Sequence, residues 1–151
     1  MARAALDTSV IIEYIDKAGD LHEQARAIFS AILAGKLEAI IPHPILAETY
    51  YVAVRIYREL DVKEPEVIAS KLIGWLYRLP MIKIIGESLE LAVEVGRVKV
   101  NYNLALTDCY VLATSKICGC KAVFKKPERE MLRKIDGLRA EYQLIFLEDY
   151  R

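Results

Sequence analysis

Five short apolar runs, Arg3–Leu6, Glu38–Ile41, Ile82–Ile85, Lys121–Phe124 and Leu144–Leu147, recur along the chain with helix-like stretches between them. This alternation constrains the fold more than any other feature. A strand that must be followed by a helix before the next strand builds a parallel sheet, because parallel neighbours need a long crossover. The expectation is an α/β fold with a central parallel sheet of about five strands. No linker, repeat or low-complexity segment interrupts the pattern, so residues 1–151 read as a single domain.

Punctuation residues bound the helices. Asp7-Thr8-Ser9 is a helix-start signal before Val10–Tyr14, and Asp20 is placed to cap a helix over Leu21–Leu33 that Gly35 ends. Pro44 suits the first turn of a helix from Ile45 to about Leu60. Further helices are expected over Glu66–Tyr77, Glu87–Val98, Thr107 or Asp108 to about Ile117, and Glu128–Lys134. A turn is expected at Asn101-Tyr102-Asn103. The opening Met1–Leu6 is too short for the apolar region of a signal peptide and reads as a first strand. No apolar run approaches the roughly 18 residues of a membrane span. With a composition of 54% hydrophobic and 28% charged residues, the chain reads as globular and cytoplasmic.

Three acids stand out because their neighbours are apolar. Asp7 follows Ala4-Ala5-Leu6, Glu48 follows Pro44-Ile45-Leu46-Ala47, and Asp108 follows Leu104-Ala105-Leu106-Thr107. Burying an unpaired carboxylate is costly, so such acids call for a cation or a set of donors. In an open parallel sheet the carboxyl ends of the strands form the site, and Asp7 sits at that end. Asp108 lies near a helix start and Glu48 about one turn inside its helix, which places both near the same edge. Oxygen ligands suit Mg²⁺ or Mn²⁺. Thr8 and Ser9 supply hydroxyls for a bound water or for capping the first helix.

Cys109, Cys118 and Cys120 read as small reduced thiols, since no second Cys pair and few histidines accompany them for zinc. Between Lys116 and Arg139, eight basic residues face three acidic ones on a chain of zero net charge. That segment reads equally as a polyanion-binding surface or as a solvated face laced with ion pairs.

The hexapeptide Ala5–Val10, the tripeptide Leu46-Ala47-Glu48 and the run Leu106–Ala113 together resemble PIN-domain nucleases, in order and over nearly the whole chain. The resemblance implies a three-layer α/β/α domain that hydrolyses RNA with Mg²⁺ or Mn²⁺. Asp7, Glu48 and Asp108 would be its metal-binding and catalytic acids. Many small prokaryotic members are toxins of VapBC-type toxin–antitoxin pairs, which implies an antitoxin partner and a homodimer. A fourth acid, usually Asp, is expected after the fourth strand, but this chain reads Lys125-Lys126-Pro127-Glu128-Arg129-Glu130 there. Either Glu128 or Glu130 replaces it as a metal ligand, or the position is lost and Lys125 or Lys126 faces the substrate phosphate, beside Thr8 and Ser9. The rivals are a catalytically inactive PIN-like module that binds RNA or protein, and another Mg²⁺ phosphotransfer fold. The second fits poorly, because position 9 is Ser where a haloacid dehalogenase-like phosphatase wants Asp.

Overall fold

The computed structural model describes residues 1–151. Its five strands are β1 (Ala2–Leu6), β2 (Leu37–Pro42), β3 (Ile82–Ile85), β4 (Lys121–Phe124) and β5 (Leu144–Phe146). They form one sheet in the order β3-β2-β1-β4-β5, and every pairing is parallel. Ala4 of β1 is in register with Ala39 of β2 and Lys121 of β4. The central strands bury consecutive residues, Ala4-Ala5-Leu6, Ala39-Ile40-Ile41 and Ala122-Val123-Phe124, as expected of strands covered on both faces.

The helices are α1 (Thr8–Ile15), α2 (His22–Leu33), α3 (His43–Glu59), α4 (Pro65–Arg78), α5 (Leu89–Tyr102), α6 (Leu106–Cys118), α7 (Arg129–Arg133) and α8 (Ile135–Glu141), followed by a 3₁₀ turn at Leu147–Tyr150. Ala2 and Ala4 share a cavity with Ala27 and Ile28 of α2. From the opposite face of β1, Arg3 donates to the Cys118 carbonyl at the end of α6. Helices therefore cover both faces, giving the three-layer α/β/α arrangement. Tyr14, Phe29 and Trp75 stack in series, with centroids 4.1 Å and 6.1 Å apart, and tie α1, α2 and α4 together.

Two expectations are corrected. Asp20 does not cap α2, whose cap residue is Leu21 with no side-chain bond, because its carboxylate pairs with Arg151 at 2.9 Å. The stretch Asn101-Tyr102-Asn103 is not a free turn. The helix α5 runs on to Tyr102 and Asn103 closes it in the left-handed region at φ 50°, which Asn tolerates. The helix expected over Glu128–Lys134 is α7, and a further helix, α8, follows it almost without pause.

Candidate active site

The carboxyl ends of β1 and β4 and the starts of α1, α6 and α7 surround a cavity of about 300 Å³. Its walls include Asp7, Thr8, Ser9, Glu13, Glu48, Thr107, Asp108, Lys125 and Glu128. The strand order places it beside β1, where chain connections leave in opposite directions towards β2 and β4, the usual crevice of an open α/β sheet. A larger cavity, about 790 Å³, opens instead near Met1, Lys121 and Gln143, over a mostly apolar floor without an acid cluster.

Asp7 is fixed from both sides. Its backbone N–H donates to the Val123 carbonyl at 3.0 Å, extending the β1–β4 ladder. Its carboxylate caps α1, Oδ2 accepting from the Ser9 N–H at 3.0 Å and the Ser9 hydroxyl at 2.5 Å. The other oxygen, Oδ1, is buried without any partner. Burial pushes the Asp7 carboxyl up to about 6, with Glu48 adding to the shift and the Ser9 bonds opposing it. The capping hydroxyl is therefore not Ser9 or Thr8: Ser9 serves Asp7, and the Thr8 hydroxyl is buried and unpartnered.

Asp108 lies in the first turn of α6 and is 7% exposed. Burial pushes its carboxyl up to about 8, and the charges of Asp7, Glu128, Glu48 and Glu130 add to this. The favourable helix dipole at this position does not offset burial and four like charges. Glu48 reaches the cavity from α3, where its Oε2 accepts from the Thr107 hydroxyl at 3.0 Å. Glu128 stands at the N-cap of α7 but makes no capping bond, so its carboxylate is free to line the cavity. Glu130 lies two residues further, about half a helical turn, and does not line it.

The two lysines part company. Lys126 is exposed outside the cavity wall, whereas Lys125 lines it. The Lys125 N–H donates to Ser9 Oγ at 3.0 Å, and its ammonium pairs with Glu13 at 2.8 Å. Burial alone would lower the Lys125 pKa, but Glu13 and Asp20 together hold it above its ordinary value.

Glu13 and Thr107 were missed as site residues. Glu13 carried a signal, since it interrupts the apolar run Val10-Ile11-Ile12 as Asp7 does Ala4–Leu6. The basic segment is not one open surface: Lys116 pairs with Glu94 and Glu141, Lys125 with Glu13, and Lys134 bonds the Tyr102 carbonyl. The cysteines are free, Cys109 and Cys120 buried and Cys118 half-buried.

No three His, Cys, Asp or Glu side chains are drawn together as a finished coordination shell. The donor chemistry nevertheless fits a hard divalent cation. Asp7 Oδ1 is orphaned, and the surrounding carboxylates raise one another's affinity for positive charge. No helix is long and apolar enough to cross a membrane.

Among solved structures similar to this one is VapBC2 from Rickettsia felis bound to a DNA fragment from its promoter, with a TM-score of 0.64 and 13% identity over 95% of this chain and 98% of that one. VapC20 of Mycobacterium tuberculosis, a Sarcin-Ricin loop cleaving toxin, aligns with a TM-score of 0.62 and 13% identity, covering 86% and 94% of the two chains. PAE2754 from Pyrobaculum aerophilum aligns with a TM-score of 0.59 and 19% identity, covering 99% of this chain and 86% of its own. No curated protein sequence matches the chain significantly. The PIN domain pattern matches residues 4–138, nearly the whole chain, and the parallel sheet with its flanking helices agrees with it. The chain belongs to the PIN-domain family.

Proposed function

We propose that the whole chain is one PIN domain acting as a metal-dependent endoribonuclease, the toxin of a toxin–antitoxin pair. One observation carries this reading: Asp7, Glu48, Asp108 and Glu128 come from four separate elements into one small cavity, and Asp7 Oδ1 is buried there without a partner. Asp7, Asp108 and Glu48 would hold Mg²⁺ or Mn²⁺, with Glu128 in place of the family's fourth Asp. The bound ion supplies water activation and charge neutralisation at the phosphodiester.

The remaining work falls to side chains of this protein. Ser9 fixes one oxygen of Asp7 and leaves the other free. Thr107 aims Glu48. Asp108 keeps its proton near neutral pH without a cation, so binding a cation releases a proton. Ser9 and Lys125 line the cavity through which a phosphate would reach the acids, with Lys126 outside it and the Thr8 hydroxyl buried. The toxin structures among the similar proteins support an antitoxin partner and action on RNA. A homodimer working in the cytoplasm completes the reading.

The inactive PIN-like module has one observation in its favour, the Lys125 ammonium standing among the acids. Cleavage decides between them. Purified protein with Mn²⁺ or Mg²⁺ is expected to cut single-stranded or structured RNA, EDTA to stop it, and Asp7→Asn to remove it. RNA binding without cutting under any divalent ion would favour the module.

A further inference from the structure

The Glu13–Lys125 pair joins two elements 112 residues apart, and it is built rather than incidental. Glu13 is 3% exposed and uses its two oxygens for different tasks. Oε1 accepts from the Leu21 N–H at 3.0 Å and so anchors the loop before α2. Oε2 meets the Lys125 ammonium at 2.8 Å. Gly19 closes over this carboxylate, and a Cβ there would stand 2.1 Å from Oε1. A glutamine would serve the loop equally well, so the negative charge of Glu13 is spent on Lys125.

The lysine in turn is not used up by its partner. An ammonium has three donors, and Glu13 takes one. Asp20 stands 3.7 Å away on the exposed side. With 28% of its side chain exposed, Lys125 lines the same cavity as Asp7, Glu48 and Asp108. Its main chain is also locked, the N–H to Ser9 and the carbonyl to the Glu148 N–H at 3.1 Å. A cation fixed by a buried carboxylate at the rim of an acid cavity is preorganised to receive an anion.

We propose that Glu13 is a positioning residue that holds the Lys125 ammonium as the contact for one backbone phosphate of a single-stranded RNA entering the acid cavity. The inference rests on the nuclease reading for its substrate class. It holds the remaining donors of an ammonium beside the acids, a fixed local contact for a phosphodiester that the acids alone would repel.

Four variants test it: Lys125→Met, Lys125→Arg, Glu13→Gln and the double E13Q/K125M. Lys125→Met alone leaves Glu13 Oε2 buried and unpaired, so it is expected to melt lower. The double variant removes both charges and is expected to melt near wild type, which separates folding from binding. Binding of a labelled single-stranded oligoribonucleotide is read by fluorescence anisotropy across a salt series, with Ca²⁺ as the divalent ion. The double variant is expected to bind about five- to tenfold more weakly, with a log–log salt slope shallower by about 0.7, the loss of one phosphate contact. Lys125→Arg is expected to restore most of the affinity. Glu13→Gln, which frees the ammonium, is expected to raise KM several-fold in Mn²⁺ with kcat little changed. If the double variant binds with wild-type affinity and slope, the pair only ties the loop to α1 and the proposal is overturned. A wild type that binds no oligonucleotide overturns it too. Failure of the nuclease reading looks different: wild type binds, the double variant binds less, and neither cuts in Mn²⁺.

Discussion

Asp108→Asn is expected to stabilise the metal-free protein while destroying its function. Asp108 is nearly buried, and its carboxyl is pushed from an ordinary 3.8 up to about 8 by burial and then by Asp7, Glu128, Glu48 and Glu130. A raised folded-state pKa means the native state binds more protons than the unfolded chain between about pH 4 and 8. Stability therefore falls as pH rises through that window. At pH 7 the shift corresponds to about 4 kcal/mol against the fold. Asparagine cannot ionise and avoids this, although its buried amide costs about 1–2 kcal/mol. The net gain is about 2–3 kcal/mol, or roughly 5–10 °C in Tm for a chain of this size. The assay is a thermal melt in EDTA at pH 5, 7 and 8. Wild type should lose Tm as pH rises, and the variant should lose less and melt higher at pH 8. Added Mn²⁺ should raise wild type more than the variant, closing the gap. A variant that melts below wild type at pH 8 in EDTA, or a wild-type Tm that climbs from pH 5 to 8, would refute the electrostatic account of the site.

Other perturbations probe single contacts. Glu128→Gln should weaken Mn²⁺ binding about tenfold by titration calorimetry while leaving Tm in EDTA unchanged or higher, since Glu128 makes no capping bond. Thr107→Val removes the 3.0 Å bond that aims Glu48 and should cost about 1 kcal/mol in urea unfolding, with a larger proportional loss in kcat than in KM. Gly19→Ala drives a methyl into Glu13 Oε1 and should destabilise by about 1–3 kcal/mol; an unchanged melt would mean the loop relaxes freely.

What could be read in the sequence depended on how local its cause was. The strands at Ile82–Ile85 and Lys121–Phe124 were legible residue for residue, because apolar runs between helix-ending and helix-starting signals leave little choice. Gly119 ends α6 in the left-handed region at φ 63°, and Gly35 follows α2 at φ 74°, as a glycine past a helix end is expected to do. Asp7, Glu48 and Asp108 were legible as candidate ligands for the same local reason, an acid set in apolar sequence. Asp20 misled because its partner, Arg151, lies at the far end of the chain, and a long-range ion pair displaced the local cap. Glu13 carried the local signal of an acid set in apolar sequence, but its partner was not legible, because only the fold of β4 brings Lys125 beside it. The helix α8 was obscured by Gly137, a poor helix residue whose position beside Tyr102 only the packed structure reveals.

The central claim, that these acids form a divalent-metal site, is tested most directly by anomalous diffraction from a crystal soaked in Mn²⁺. The account predicts a peak within coordination distance of Asp7 Oδ1, Asp108 and Glu48, with Glu128 at its edge. No peak in that cavity, or one confined to another carboxylate pair such as Glu94 and Glu141, would contradict it.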